Sequence, residues 1–171
     1  MKIIETIFDH CQIIEPTIRK DSRGSMELFY SNDIEMQQLL NDYHLTEQRV
    51  YRMPENAFFG IHVGPSKLIS VIYGSGIDYL IDLRRDSETY KKHRAIELNG
   101  ETPRIIYVPA GFGHAFLSLA DNTIQAFAQD TQSPYVKSAP INYRSPGIDL
   151  KLPVEDIILS DYDRDAAILD K

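Results

Sequence analysis

From Phe59 to Gln129 the chain alternates short apolar runs with clusters of glycine, asparagine and proline. Lys67-Leu-Ile-Ser-Val-Ile-Tyr73 runs to Gly74-Ser-Gly76, and Ile77-Asp-Tyr-Leu-Ile-Asp-Leu83 follows, its apolar residues alternating with Asp78 and partly with Asp82. This pair predicts a β-hairpin. Arg94–Leu98 ends at Asn99-Gly100, and Arg104–Val108 meets Pro109. His114–Ala120 and Thr123–Gln129 flank Asp121-Asn122, a second hairpin signal. Short strands at roughly ten-residue intervals, broken by turn residues, predict an all-β sandwich or closed barrel. Helical signals are few. Asn32–Asp42 has a capping residue, an acid in its first turn and helical apolar spacing. Ser160–Asp170 reads as a short capped helix. No repeat, low-complexity segment or linker divides the 171 residues, so residues 1–171 read as one domain.

Composition narrows the setting. A chain of this length buries a core without staples. Its single cysteine, Cys11, excludes an internal disulfide framework and suits a reducing compartment. The Met1–His10 stretch carries acids within its apolar run, which predicts neither a signal peptide nor a spanning helix. The expectation is a cytoplasmic protein that engages no membrane. A formal charge of −7 argues against a nucleic-acid partner, which needs a basic face. It leaves room for one anionic small ligand held by local cations.

Two histidines carry the candidate chemistry. His114 follows the Pro109-Ala-Gly-Phe-Gly113 turn at the start of an apolar strand, and His62 holds a similar place in Phe59-Gly-Ile-His-Val. Together they suggest a barrel with imidazoles pointing into its mouth. Neither has a second ligand at short range, whereas a stable metal site needs three or four, so no metal and no cofactor are expected. Cys11 lacks a glycine elbow or helix start and reads as a small buried hydrophobe. Gly74-Ser-Gly76 precedes no helix and is no phosphate cradle. Proton transfer remains, because imidazole titrates in the range for abstraction near neutral pH. His62 is the candidate base; the competing role is a hydrogen-bonded structural histidine. Lys67 is a candidate for steadying a developing enolate, against an exposed strand-start lysine. Arg84-Arg85 and Lys91–Arg94 read as solvated faces.

Taken in order, these residues resemble the dTDP-4-dehydrorhamnose 3,5-epimerase family over nearly the whole chain. Asp21-Ser-Arg-Gly24 is similar to the family's Asp-x-Arg-Gly, and Gly60-Ile-His62 to its Gly-Leu-His. Lys67–Gly74 resembles its Lys-Leu-Val strand. Ile81-Asp-Leu-Arg84 with Asp86–Tyr90 resembles its Asp-x-Arg followed by Ser-Pro-Thr-Tyr. Pro109–Phe116 is similar to Pro-x-Gly-Phe-Ala-His-Gly-Phe, and Leu159-Ser-Asp-Tyr-Asp163 to the closing Leu-Ser-x-x-Asp. The resemblance implies a cupin-type jelly roll that works without metal, usually as a homodimer, on a nucleotide-linked 4-keto sugar. It implies that the ketone acidifies the C3 and C5 hydrogens of a 4-keto-6-deoxyhexose. His62 would be the base, Asp163 its partner and Lys67 the enolate stabiliser. His114 would line the pocket, with Arg23 and Glu27 among the substrate contacts.

The chain departs from that pattern at defined places. The arginine that meets the diphosphate is Phe59 here, and the family's Gln-x-Asn falls at Glu47-Gln-Arg49. The tyrosine acid falls at Phe127, with Gln132 and Ser133 at further aromatic positions. In Thr123–Gln129, Gln125, Phe127 and Gln129 share one face, and Ile124, Ala126 and Ala128 the other. If the glutamine face lines the pocket, Phe127 touches the sugar without a proton to give, and delivery to the second face comes from Tyr135, the candidate acid, from water, or not at all. The rival readings are a ketoisomerase or single-centre epimerase on a related sugar, and a homologue that binds a sugar nucleotide without turnover.

Overall fold

The computed structural model describes residues 1–31, 34–39, 46–130 and 139–169. In chain order the described residues form β1 (Lys2–Ile7), β2 (Cys11–Glu15), β3 (Thr17–Asp21), β4 (Gly24–Leu28), α1 (Ile34–Leu39), β5 (Glu47–Met53), β6 (Phe58–Val63) and β7 (Lys67–Tyr73). There follow β8 (Ser75–Ile81), β9 (His93–Asn99), β10 (Ile105–Val108), β11 (Gly113–Ser118), β12 (Thr123–Gln129) and α2 (Asp161–Arg164). A six-stranded sheet in the order β1-β2-β10-β7-β12-β5 faces a four-stranded sheet in the order β6-β11-β8-β9. Strands β3 and β4 form a separate hairpin. This is the jelly-roll arrangement expected, and it assigns α1 and α2 to its margins. Among the described residues no helix is long and apolar enough to cross a membrane.

Three apolar layers follow from strand alternation. Ile69, Val71, Leu80, Ile106, Val108 and Phe116 fill the space between the sheets. Phe58, Ile61, Tyr79, Ile81, Ala115 and Leu117 lie on the outer face of the small sheet, covered by the C-terminal segment through Ile148 and Leu150. Ile14, Leu68, Ile105 and Tyr107 line the outer face of the large sheet beneath Met36 of α1. Cys11 is fully buried, and burial drives its thiol pKa far up, which matches the inert hydrophobe expected.

Both expected hairpins are instead crossings between sheets. β7 pairs with β10 and β12, while β8 pairs with β11 and β9. β11 and β12 likewise lie in different sheets. The reason is burial: β7 and β8 each bury side chains on both faces, which a solvated two-strand ribbon cannot do. Gly74, at φ +77°, turns the chain out of the large sheet. The two crossings lie side by side, with the Leu119 amide (2.9 Å) and the Thr123 hydroxyl (3.1 Å) both donating to the Ser75 carbonyl.

Other sequence expectations are also adjusted. α2 is one turn, shorter than Ser160–Asp170, although Ser160 caps it as expected. α1 lies inside the expected Asn32–Asp42 helix, whose ends fall outside the described residues. The charged pairs are not all solvated. Arg84 is fixed on the fully buried Asp82 (2.7 Å) and stacks over Phe112, and buried Lys91 donates to the Pro146 carbonyl (3.1 Å).

A Cβ at Gly74 would lie 2.6 Å from Thr123 Oγ1 and 2.9 Å from its Cα, on a left-handed backbone. Gly74→Ala is therefore expected to cost about 1–3 kcal/mol, read as a lower midpoint in urea denaturation. An unchanged midpoint would show that this corner does not constrain the crossing.

Candidate active site

β6 is an edge strand of the small sheet, and its free edge is covered by the C-terminal segment. The Phe58 amide donates to the Ile158 carbonyl, the Ile158 amide to Asn56, and the Ile141 amide to Ile61, each at 2.9 Å. Along the other edge, Phe116 of β11 faces Phe59 and His114 faces His62, so Ala115 opposes both Gly60 and Ile61. Such a bulge re-aims the strand's side chains. Phe58 and Ile61 pack outward, while Phe59 packs against the interior cluster. His62 therefore follows Phe59 to the interior face, directly across from His114.

Each imidazole is held by a carboxylate. His62 Nε2 and Asp163 Oδ1 lie 2.7 Å apart, and His114 Nε2 lies 2.7 Å from Asp78 Oδ2. A carboxylate can only accept, so Nε2 of His62 is the nitrogen that carries the proton toward Asp163, and in the neutral ring Nδ1 keeps a lone pair. Asp163 is 7 % exposed and His62 is 32 % exposed, so the anion is sheltered while the imidazole remains reachable. The Tyr162 ring stacks against His62 at 5.8 Å.

Asp163 reaches this place by two local devices. Ser160 caps α2: its Oγ accepts from the Asp163 amide (3.1 Å) and donates to Asp163 Oδ2 (2.8 Å). Gly60 supplies the space, because a Cβ there would sit 2.7 Å from Asp163 Oδ1. Burial pushes the Asp163 carboxyl up, but the bonds from His62, Ser160 and the Gly60 amide outweigh it and hold it below the usual carboxylate range.

Lys67 and Asp78 complete the polar group. In β7, Lys67 lies opposite Val108 and Gln129, on the interior face with Ile69. Burial pulls its ammonium down to about 8, and the Asp78 carboxylate opposes that shift. Asp78 is fully buried, and its Oδ1 has no hydrogen-bond partner in the structure. Its alternation with apolar neighbours resembles an ordinary half-exposed strand, so the sequence concealed its role. An acid in a strand buried on both faces is the signal that marks it.

The family-like motif around Asp82 has a structural use. Its carboxylate accepts from Arg84, Ser87 and Thr89 at 2.7, 2.6 and 2.5 Å, which closes the loop between β8 and β9 and holds the acid well below the carboxylate range. The remaining expected residues fall into two groups. Phe59 and Phe127 both pack against the interior cluster, each touching Tyr51, with ring centroids at 4.8 and 5.5 Å. The glutamine-bearing face of β12 is thus the inner one. Arg23 and Glu27 lie on the β3–β4 hairpin, which pairs with neither large sheet, and Arg23 is ion-paired with Asp21 (2.7 Å). Tyr135, with Gln132 and Ser133, lies outside the described residues. Among the described residues, no three His, Cys, Asp or Glu side chains gather as a metal site.

A carboxyl with a depressed folded pKa stabilises the fold above its unfolded pKa of about 3.9. That contribution disappears as pH falls through the folded value. Asp163→Asn and Gly60→Ala should each narrow the gap between urea midpoints measured at about pH 7 and about pH 3. An undiminished gap in both variants would mean that Asp163 is not held as described.

Known proteins match this chain over nearly its whole length. The family model described as dTDP-4-dehydrorhamnose 3,5-epimerase matches residues 5–171. A dTDP-4-dehydrorhamnose 3,5-epimerase of Methanothermobacter thermautotrophicus is 31 % identical over 172 aligned positions, covering 95 % of this chain and 91 % of that protein. The crystal structure of the Bacillus anthracis dTDP-4-dehydrorhamnose 3,5-epimerase, with TDP and PPi bound, superposes with a TM-score of 0.87 at 30 % identity, over 98 % of this chain and 99 % of that one. A Legionella pneumophila dTDP-6-deoxy-D-glucose-3,5-epimerase in complex with dTDP-4-keto-L-rhamnose gives 0.88 at 28 % identity, over 96 % and 90 %. With the bulged His62 strand, the Asp163 partner and the jelly roll already in place, the conclusion is that this chain belongs to the dTDP-4-dehydrorhamnose 3,5-epimerase family.

Proposed function

We propose that this protein is a nucleotide-sugar epimerase that acts at C3, C5 or both of a 4-keto-6-deoxyhexose by removing a proton alpha to the ketone. The observation that carries the reading is the His62–Asp163 pair at 2.7 Å, with Nδ1 of His62 left as a base. A C4 ketone makes the adjacent C–H bonds acidic, and His62 Nδ1 takes the proton. The electron pair moves to the C4 oxygen as an enolate. Asp163 stabilises the imidazolium that results, and it does so as an anion because its pKa is depressed. Lys67 supplies positive charge for the enolate oxygen. His114, fixed by Asp78, lines the same face opposite His62. The route needs no metal and no cofactor.

Three coarser features belong to the same reading. Residues 1–171 act as one domain, the protein works in the cytoplasm, and it forms a homodimer. The β3–β4 hairpin supports the last point: it stands off the barrel and exposes Ile18 and Met26 beside Arg23 and Glu27. Those two residues would then serve the nucleotide part of a substrate.

In deuterium oxide the wild type should wash deuterium into C3 or C5 of a dTDP-linked 4-keto-6-deoxyhexose. His62→Ala should slow that exchange by roughly 10²- to 10⁴-fold while remaining folded. Unchanged exchange in the folded variant would remove His62 from the mechanism.

Lys67 gives a pH dependence of definite sign. Its charged form is lost as pH rises through about 8, so exchange should decline on that basic limb, and Lys67→Arg should move the decline upward. Stability should move the other way. The unfolded lysine holds its proton to about 10.4, so between those values the folded state binds fewer protons and gains stability as pH rises. A rate flat through pH 9 would exclude a charged Lys67 at the enolate. Exhaustive chelation should leave exchange intact; its loss, restored by a divalent metal, would contradict the metal-free route.

A further inference from the structure

Abstraction at one face of the sugar is only half of an inversion. A proton must return on the other face, and the position where the family keeps its acid is Phe127, which has none. Among the described residues, the phenol stacked on that ring belongs to the neighbouring strand. Tyr51 of β5 stacks on Phe127 with ring centroids 5.5 Å apart and planes within 17°. It also meets Phe59 of β6 at 4.8 Å. β5 and β6 are edge strands of opposed sheets, and this ring contact brings the two edges face to face across the interior.

Of the other described tyrosines, Tyr73 is exposed at the end of β7 and Tyr90 lies in the loop between β8 and β9. Tyr79 and Tyr143 pack on the outer face of the small sheet, and Tyr107 and Tyr30 on the outer face of the large one. Tyr162 lies against His62, on the base's own side. Among the described tyrosines, Tyr51 alone packs against the interior cluster.

The Tyr51 phenol has a cationic neighbour. Arg49 lies two residues earlier on the same face of β5, directly opposite Phe127. Its guanidinium is ion-paired with Glu47, interacts electrostatically with Tyr51, and lies 5.9 Å from the centroid of the Phe127 ring. Glu47 in turn accepts from Gln129 Nε2 at 3.2 Å, which anchors the group to β12. A guanidinium beside a phenol stabilises the phenolate, the form that remains after a proton is given.

We infer that Tyr51 is the proton donor for the second face: the phenol lost at Phe127 is supplied from the adjacent strand, with Arg49 positioned to hold the phenolate. This rests on the epimerase reading above. His62 Nδ1 takes the C–H proton, and its electron pair becomes the C=C of the enolate. The enolate carbon then takes the Tyr51 Oη proton on the opposite face as the C4 carbonyl re-forms. Imidazolium and phenolate remain, and water returns one proton to Tyr51 while it removes one from His62. No oxidant or further reactant enters.

The test is Tyr51→Phe, which keeps the stacking ring. With a dTDP-linked 4-keto-6-deoxyhexose in deuterium oxide, the variant should still wash deuterium into the original configuration, because abstraction and return at His62 are intact. Its ratio of inverted product to exchange should fall roughly 100-fold or more. Adding Phe127→Tyr to that variant should restore much of the ratio. Inversion at the wild-type ratio in Tyr51→Phe, or its survival there together with loss in Tyr135→Phe, would overturn the assignment. Equal loss of exchange and inversion would do so too, since it would make Tyr51 a structural support only. A wild type that neither exchanges nor inverts would overturn the epimerase reading itself, and this assignment with it.

Discussion

The site depends on one hydrogen bond that joins residues 101 positions apart, His62 Nε2 to Asp163 Oδ1. Almost every local feature nearby serves it. The bulge at Gly60-Ile61 turns His62 inward. Gly60 lacks the Cβ that would strike the carboxylate. Ser160 closes a single turn that presents Asp163 and sets Tyr162 against the His62 ring, although α2 buries no residue of its own. The C-terminal segment reaches β6 because that edge strand needs partners for its free amides and carbonyls. One edge thus solves two problems: its backbone is satisfied, and a carboxylate is delivered to the back of an imidazole.

Charge is arranged with equal economy. Asp163 and Asp78 each occupy one imidazole nitrogen, and Lys67 stands on the facing sheet under the influence of Asp78. A lysine brought to about 8 by burial is still mostly charged near neutral pH, and only part of it meets solvent. It therefore interacts strongly with any anion that develops beside it. The Phe59–Tyr51–Phe127 cluster makes the neighbouring part of the interior apolar, which keeps those electrostatic terms large.

The all-β class, the strands from β6 to β12 and the His62–Asp163 contact were legible in the sequence, the last through motif resemblance. Connectivity was not. Gly74-Ser-Gly76 and Asp121-Asn122 carry the residue types of hairpin turns, because a crossing between sheets uses the same left-handed backbone positions. Turn chemistry reports that the chain bends and leaves open which neighbour it bends toward. Strands β1, β3, β4 and β5 escaped notice because their exposed positions weaken the apolar pattern; β3 is exposed along its whole length. Asp78 was hidden by the opposite effect, an acid on a strand whose two faces are both interior. Tyr51 looked like any strand tyrosine until the sheet register placed it beside Phe127.

The central claim is that Asp163 fixes His62 with its proton on Nε2, leaving Nδ1 as the base. Long-range ¹H–¹⁵N correlation spectroscopy of the ring nitrogens reports this directly, at a pH where the imidazole is neutral. The account predicts a protonated Nε2 and a bare Nδ1 for His62, with the preference weakened in Asp163→Ala. A proton on Nδ1 in the wild type, or a tautomer indifferent to Asp163, would contradict it.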